Sequence, residues 1–270
     1  MNYNIKTLYF SATGTTGKIV KRLAVELSSC FAEHKQITHL DFTLPARRKE
    51  IVDFNEDDIV IVGTPVYAGR VPNVLLKYLN SVKSNRSLAI AVVVYGNRNY
   101  DDALIELKDI LDTNGFNVAA AGAFIGEHSF SDILAKGRPD DLDYNVVKEF
   151  ANKIYFKLSS GLSTVKVPGH IPYRPYYKPK DKDGNPVDIR KIKPKTNKYC
   201  TDCKTCVEVC PVASINYNDP SQLDGICIKC GACIKKCPVN AKYFDNENYL
   251  SHKHELEVEF AERRNPELFL

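Results

Sequence analysis

From Ile5 to Leu158 the chain alternates short, continuous apolar runs with segments whose apolar positions recur every three or four residues. The first period predicts strands and the second helices. Ile5–Ser11 is a short apolar run, and a helical pattern follows at once with Ile19, Val20, Leu23, Ala24 and Leu27 on one face. Gln36–Asp41 reads as a second strand. Asp58–Gly63 holds Ile59, Val60, Ile61 and Val62 without polar alternation, the mark of a central parallel strand buried on both faces. Val71–Val82 reads as a helix with Pro72 in its first turn, where a missing N–H is tolerated. Leu88–Tyr95 is another strand, Tyr100–Asn114 a helix stopped by Gly115, Asn117–Ile125 a fifth strand, and Leu142–Leu158 a closing amphipathic helix. Such alternation predicts an α/β domain over residues 1–160, with a doubly wound parallel sheet and a ligand site at the carboxyl ends of its strands.

The pattern breaks at Gly161. Residues 161–195 carry Pro168, Pro172, Pro175, Pro179, Pro186 and Pro194 among many lysines, with Tyr173, Tyr176 and Tyr177 interleaved. This composition predicts an extended, semi-rigid strap laid over a domain face. Basic and aromatic residues together also suit nucleic acid, but no nucleic-acid-binding fold accompanies them. Residues 196–245 form a cysteine-rich unit, and 246–270 a charged tail, helical over Asn248–Arg263, with Leu268-Phe269-Leu270 expected to dock it.

The cysteine-rich unit contains Cys200-x-x-Cys203-x-x-Cys206-x-x-x-Cys210-Pro211, then Cys227-x-x-Cys230-x-x-Cys233-x-x-x-Cys237-Pro238. Structural zinc sites usually pair two short hooks around one ion, which leaves the third cysteine and the Cys-Pro of each run without a role. Disulfides need an oxidising compartment. The unit resembles the small two-cluster bacterial ferredoxins over its whole length. The resemblance implies an α+β ferredoxin domain with two [4Fe–4S] clusters, each run giving three ligands to one cluster and its fourth to the other. One cluster would take Cys200, Cys203, Cys206 and Cys237, the other Cys227, Cys230, Cys233 and Cys210.

Between the first strand and first helix lies Ser11-Ala12-Thr13-Gly14-Thr15-Thr16-Gly17. A hydroxyl-rich loop at a helix N-terminus offers N–H groups and a positive dipole end to a phosphate. It lacks the Gly-Lys-Ser/Thr of a P-loop and the spaced glycines of a dinucleotide fingerprint. An ordinary turn with Thr15 or Thr16 as N-cap is the alternative. The loop resembles the Ser/Thr-x-Thr-Gly-x-Thr loop of flavodoxins. That resemblance implies a five-stranded flavodoxin-like sheet in the order 2-1-3-4-5 and FMN, its phosphate held by Ser11, Thr13, Gly14, Thr15 and Thr16. It also implies two loops clamping the flavin ring, one with Pro65, Tyr67, Ala68 and Gly69, the other with Gly96, Asn97, Arg98 and Tyr100. Tyr100 would stack on one face of the ring and Tyr67 or Tyr95 on the other, with Ala68-Gly69 facing N5. The chain departs from flavodoxins in carrying Asn97 for an aspartate, the cation Arg98 beside it and a basic balance, which predicts an easier second reduction of the flavin.

Over all but the strap and tail, the chain resembles the flavodoxin–ferredoxin fusion proteins of anaerobic bacteria and archaea. This implies an electron-transfer protein that passes single electrons between two [4Fe–4S] clusters and FMN and on to other redox proteins. A flavin-dependent reductase acting on a small acceptor or a nicotinamide is the alternative, and a redox sensor or assembly factor a third class. No catalytic residue is assigned. The net charge of +4 over 270 residues is too mild to argue for nucleic acid. No window approaches a membrane span and no export signal opens the chain, so a cytoplasmic monomer or homodimer is expected. Cys30, the ninth cysteine, reads as a small buried apolar residue. His128 is a lone loop histidine on the ligand side, solvated unless a partner meets it.

Overall fold

The computed structural model describes residues 3–33, 35–50, 52–161, 164–180 and 184–270. Strands β1 (Asn4–Tyr9), β2 (Ile37–Asp41), β3 (Asp58–Pro65), β4 (Leu88–Tyr95) and β5 (Asn117–Ile125) alternate with helices α1 (Thr15–Ser29), α2 (Asn73–Leu79), α3 (Ala103–Thr113) and α4 (Asp141–Ser160). β1 pairs in parallel with β2 and β3, β3 with β4, and β4 with β5. The order of these five strands is therefore 2-1-3-4-5. One core layer packs Ile19, Leu23 and Leu27 of α1 and Phe150 and Ile154 of α4 against one face of the sheet. The other layer packs Leu75 and Leu79 of α2 and Leu104 and Leu107 of α3 against the opposite face. Gly63 lets α1 approach closely, since a Cβ there would lie 2.3 Å from Val20 Cγ2.

Element ends differ from the sequence pattern where local chemistry intervenes. α2 starts at Asn73, one residue past Pro72, and α3 starts at Ala103 because Asp101 takes a left-handed turn at φ 44°. The larger difference is in the tail. The tail helix, α5 (Glu247–Glu259), ends short of Arg263, and Glu267–Phe269 pairs antiparallel with β5 as a sixth strand. The sheet is thus parallel except for this edge. The reason is exposure: β5 is buried along all but its first residue, and an open apolar edge would template aggregation.

The cysteine-rich unit begins with β6 (Lys195–Thr196) and has two single-turn helices, 205–208 and 232–235. β6 pairs antiparallel with β7 (Lys242–Tyr243). The tail then contributes α5 and the edge strand β8 (Glu267–Phe269).

The strap runs across the α3 side of the sheet domain. Asp102, fully buried, accepts from Arg174 Nε at 3.0 Å, from its Nη2 at 2.7 Å, and from the backbone N–H of Arg174 and of His170. Tyr173 donates to Asp109 and Tyr176 to the carbonyl of Val71. Arg70, paired with Glu106 at 2.7 Å, lies under the rings of Tyr173 and Tyr176.

Candidate functional site

The hydroxyl loop caps α1 with Gly14 in a left-handed conformation at φ 100°, with no side-chain cap and no acidic residue in the first turn. Ser11 Oγ accepts from Gly17 N at 2.9 Å and its own N–H donates to Thr43 Oγ1, which fixes the entry to the helix. Thr16 is buried. Thr13 and Thr15 are half-buried, and among the described residues neither hydroxyl has a protein partner. Thr64 Oγ1, at the end of β3, is buried without a hydrogen-bond partner. An uncapped helix end beside free hydroxyls fits a phosphate, which accepts from all of them.

The two loops beyond β3 and β4 lie at the same end of the sheet. Tyr67 and Arg70 close a tight turn by reciprocal backbone bonds of 3.0 and 3.2 Å. Within it Ala68 has φ 52° and Gly69 φ 78°, and the Ala68 carbonyl accepts from Tyr177 N of the strap at 2.9 Å. Pro65 and Tyr67 are half-buried. Tyr95 and Tyr100 are buried with ring centroids 5.6 Å apart, and the Tyr100 hydroxyl donates to Glu267 at 2.8 Å. Burial and the Glu267 carboxylate hold the Tyr100 phenol well above its ordinary range. Gly96 lies under His128, whose Cδ2 would be 2.3 Å from a Cβ there. Asn97 turns to the tail and Arg98 to the strap, where its guanidinium lies 4.6 Å from the Tyr177 ring centroid and pairs with Asp101. His128 is not a solvated loop residue: it sits among Phe130, His252 and Gly96, and burial first, then His252, Lys235 and Arg98, hold it down to about 4.

In the cysteine-rich unit the repeat extends to the backbone. A step of 27 residues carries Cys200 to Cys227, and the same step relates the left-handed residues Asp202 and Lys229, Lys204 and Gly231, Ala213 and Asn240. The N–H groups of Ser214 and Ala241 donate to Cys210 Sγ at 3.3 Å and Cys237 Sγ at 3.2 Å, again one step apart. A cavity is lined by Cys210, Cys227, Cys230 and Cys233 together with Ile215 and Leu223. Three of these cysteines come from the second run and one from the first. Burial pushes the Cys230 and Cys233 thiols up to about 12. A ligand that supplies positive charge is what such a pocket needs, because a metal deprotonates the thiol that binds it. Cys200 and Cys203 are exposed.

This unit docks on the sheet domain at the ligand end. Lys235 binds Glu127 at 2.8 Å, Asp132 at 2.7 Å and the Ser131 carbonyl. Gly231 abuts the Ser129 carbonyl, where a Cβ would lie 2.6 Å away. Arg48 donates to the Pro211 carbonyl. Cys230 belongs to the same apolar cluster as the sheet core, with Tyr67 packed against it. Burial chiefly, and then the charges of Cys230 and Cys227, raise the Tyr67 phenol. Arg48, Lys235 and Asp102 carry no motif and were invisible in the sequence, whereas Glu127 was legible only as part of the loop after the last strand. Cys30 donates to Glu26 O and Asn152 Oδ1, and burial raises its thiol, the opposite of an activated nucleophile.

Among the described residues no helix is long and apolar enough to cross a membrane. No curated protein matches the chain. Among solved structures it is similar to a flavodoxin from the domain Archaea, at 14% identity over 58% of this chain and 99% of that one, with a TM-score of 0.41. It is similar also to oxidised flavodoxin 2 from Bacillus cereus, at 15% identity over 57% and 99%, TM-score 0.43, and to an NADH:FMN oxidoreductase in its apo form, at 20% identity over 60% and 90%, TM-score 0.41. The family model of the flavodoxin domain matches residues 7–128, and that of the 4Fe-4S dicluster domain matches residues 176–253. The two matches put a flavodoxin domain and a 4Fe-4S dicluster domain in one chain, which supports a flavodoxin–ferredoxin fusion that transfers electrons.

Proposed function

We propose that the protein passes single electrons between two [4Fe–4S] clusters and one FMN, and on to other redox proteins. Cys200, Cys203, Cys206 and Cys237 hold one cluster, and Cys210, Cys227, Cys230 and Cys233 the other. Ser11, Thr13, Gly14, Thr15 and Thr16 hold the flavin phosphate, and the loops Pro65–Gly69 and Tyr95–Tyr100 border the ring. The observation that carries this reading is the cavity whose four cysteines are drawn from both runs in the crossed combination. Its neighbourhood supports a route between the clusters and the flavin within the molecule. Cys230 shares an apolar cluster with Tyr67 of the ring-side loop, whereas Cys200 and Cys203 face solvent. The inner set thus adjoins the flavin side and the outer set meets partners. The bound groups supply one-electron chemistry, and the chain's own residues hold them close and keep water from the inner set.

The test is anaerobic purification followed by rapid mixing. About eight irons, eight sulfides and one FMN per chain are expected, with rapid reduction by a reduced ferredoxin and none by NADH or NADPH. Direct reduction of the flavin by a nicotinamide would establish the reductase reading instead.

A further inference from the structure

Lys242 breaks the internal repeat. The matching residue one step of 27 earlier is Ile215, a buried lining residue of the cysteine cavity. Lys242 is as buried as its counterpart, at 3% exposure, and its ammonium donates to the Pro220 carbonyl. Among the described residues no carboxylate pairs with it. Burying an ammonium without a counter-charge is strongly unfavourable, so negative charge is called for nearby.

The geometry indicates where that charge lies. Lys242 is the ladder partner of Thr196, and directly opposed residues of an antiparallel pair project from the same face. Thr196 Oγ1 is buried and has no hydrogen-bond partner. Among the described residues, a hydroxyl without a hydrogen-bond partner and an ammonium without a counter-charge therefore share one face. The preceding residue, Ala241, donates its N–H to Cys237 Sγ. The turn of helix carrying Cys233 packs against β7, and the one carrying Cys206 packs against that of Cys233. β7 and the residue before it thus lie against a ligand of each set, Cys237 of one and the turn of Cys233 of the other.

We infer that Lys242 is a counter-cation shared by the two cysteine sets, and that it makes both clusters easier to reduce. The inference rests on the proposal that the eight cysteines hold two clusters. Reduction adds one electron, and hence one negative charge, to a cluster, and a neighbouring cation favours the more negative form.

The experiment is a potentiometric titration with dithionite, followed by electron paramagnetic resonance, on the anaerobically purified full chain. Iron, sulfide and flavin are measured first. Wild type with fewer than two clusters would overturn the proposed function and this inference together. With both clusters present, Lys242→Met is expected to retain them and to shift the oxidised-to-reduced ratio of each at least tenfold toward oxidised, about 59 mV for one electron. Lys242→Arg should return both ratios to within about threefold of wild type. Where the methionine variant loses iron, Lys242→Gln is read the same way, since it keeps a donor for the Pro220 carbonyl. Two fully loaded clusters titrating as in wild type would overturn the inference and leave the proposed function standing. A shift confined to one cluster would overturn the sharing.

Discussion

The side-chain amide of Asn97 donates to the backbone carbonyl of Glu262 at 2.7 Å. The same nitrogen donates to the Phe260 carbonyl at 2.6 Å, and Asn97 Oδ1 accepts from Arg264 N at 3.3 Å. Asn97 therefore ties the loop after β4 to the end of the tail. An aspartate has no donor for these carbonyls. Asn97→Asp should set a carboxylate against two carbonyl oxygens at a site 2% exposed, at a cost of roughly 3 kcal/mol. Urea unfolding should show the loss, and proteolysis should open first between 260 and 264. Unchanged stability would mean the tail contact is not formed in solution.

Arg174 anchors the strap through Asp102, whose side chain is fully buried while that of Arg174 is about half exposed. The guanidinium and the backbone N–H groups of Arg174 and His170 hold the Asp102 carboxyl far below its ordinary range. Arg174→Ala leaves the carboxylate with the backbone N–H of residues 170 and 174 and with the His170 ring at 3.4 Å. The expected loss is about 2 kcal/mol, less than for a fully buried pair because water reaches the arginine. Hydrogen exchange should rise over 170–177 and not in β1–β5.

Acid should weaken the packing around His128. Its ordinary value is 6.5 and its folded value about 4. As pH falls below 6.5 the unfolded chain takes up a proton that the folded chain refuses, so this contribution is complete above 6.5 and lost progressively toward 4. The groups facing it are His252, Lys235 and Arg98, and Glu255 lies behind His252 at 3.2 Å. His252 is also lowered by burial and acts in the same direction. His128→Asn should flatten the fall in urea midpoint between pH 6.5 and 4. An unaltered acid limb would assign it to the carboxylates.

Replacing Cys210 by serine should damage the cluster held by Cys227, Cys230 and Cys233, because the cavity joins Cys210 to those three. Iron analysis with magnetic resonance on the anaerobic variant should show that signal altered and the other retained. Loss of the cluster of Cys200, Cys203 and Cys206 instead would reverse the crossed assignment.

At the start of α1, the hydroxyls of Thr13 and Thr15 have no protein partner among the described residues. Thr13→Ala and Thr15→Ala should each weaken FMN by about 1–3 kcal/mol, the range for a hydrogen bond to a charged group. Titration with riboflavin should show no such loss. Equal sensitivity of the two flavins would remove the phosphate from this loop.

The alternation of apolar runs with helical faces was enough to place five strands, because a strand buried on both faces must be apolar at every position. Local spacing was likewise enough for the cysteine repeat, whose left-handed turns recur at the same step as the cysteines. Both signals are short-range: the residues that make the structure are neighbours in the chain. The edge strand of the tail was missed for the opposite reason, although the docking of Leu268-Phe269-Leu270 was expected. Glu267–Phe269 is three residues long, too short to show a period, and its place is set by the open edge of β5, more than 140 residues away in sequence. Asn97 looked like a change in flavin electrostatics, but its amide answers carbonyls of the tail that no local pattern reveals. Lys242 lay in plain view one step after Ile215, yet only tertiary packing decided that it is buried, with its ammonium on the Pro220 carbonyl. Sequence by itself determined which elements and which ligand chemistry the chain carries, through patterns no longer than one repeat. Tertiary structure decided which side chains meet at the junction of the two domains, because those partners are brought together by folding and not by spacing.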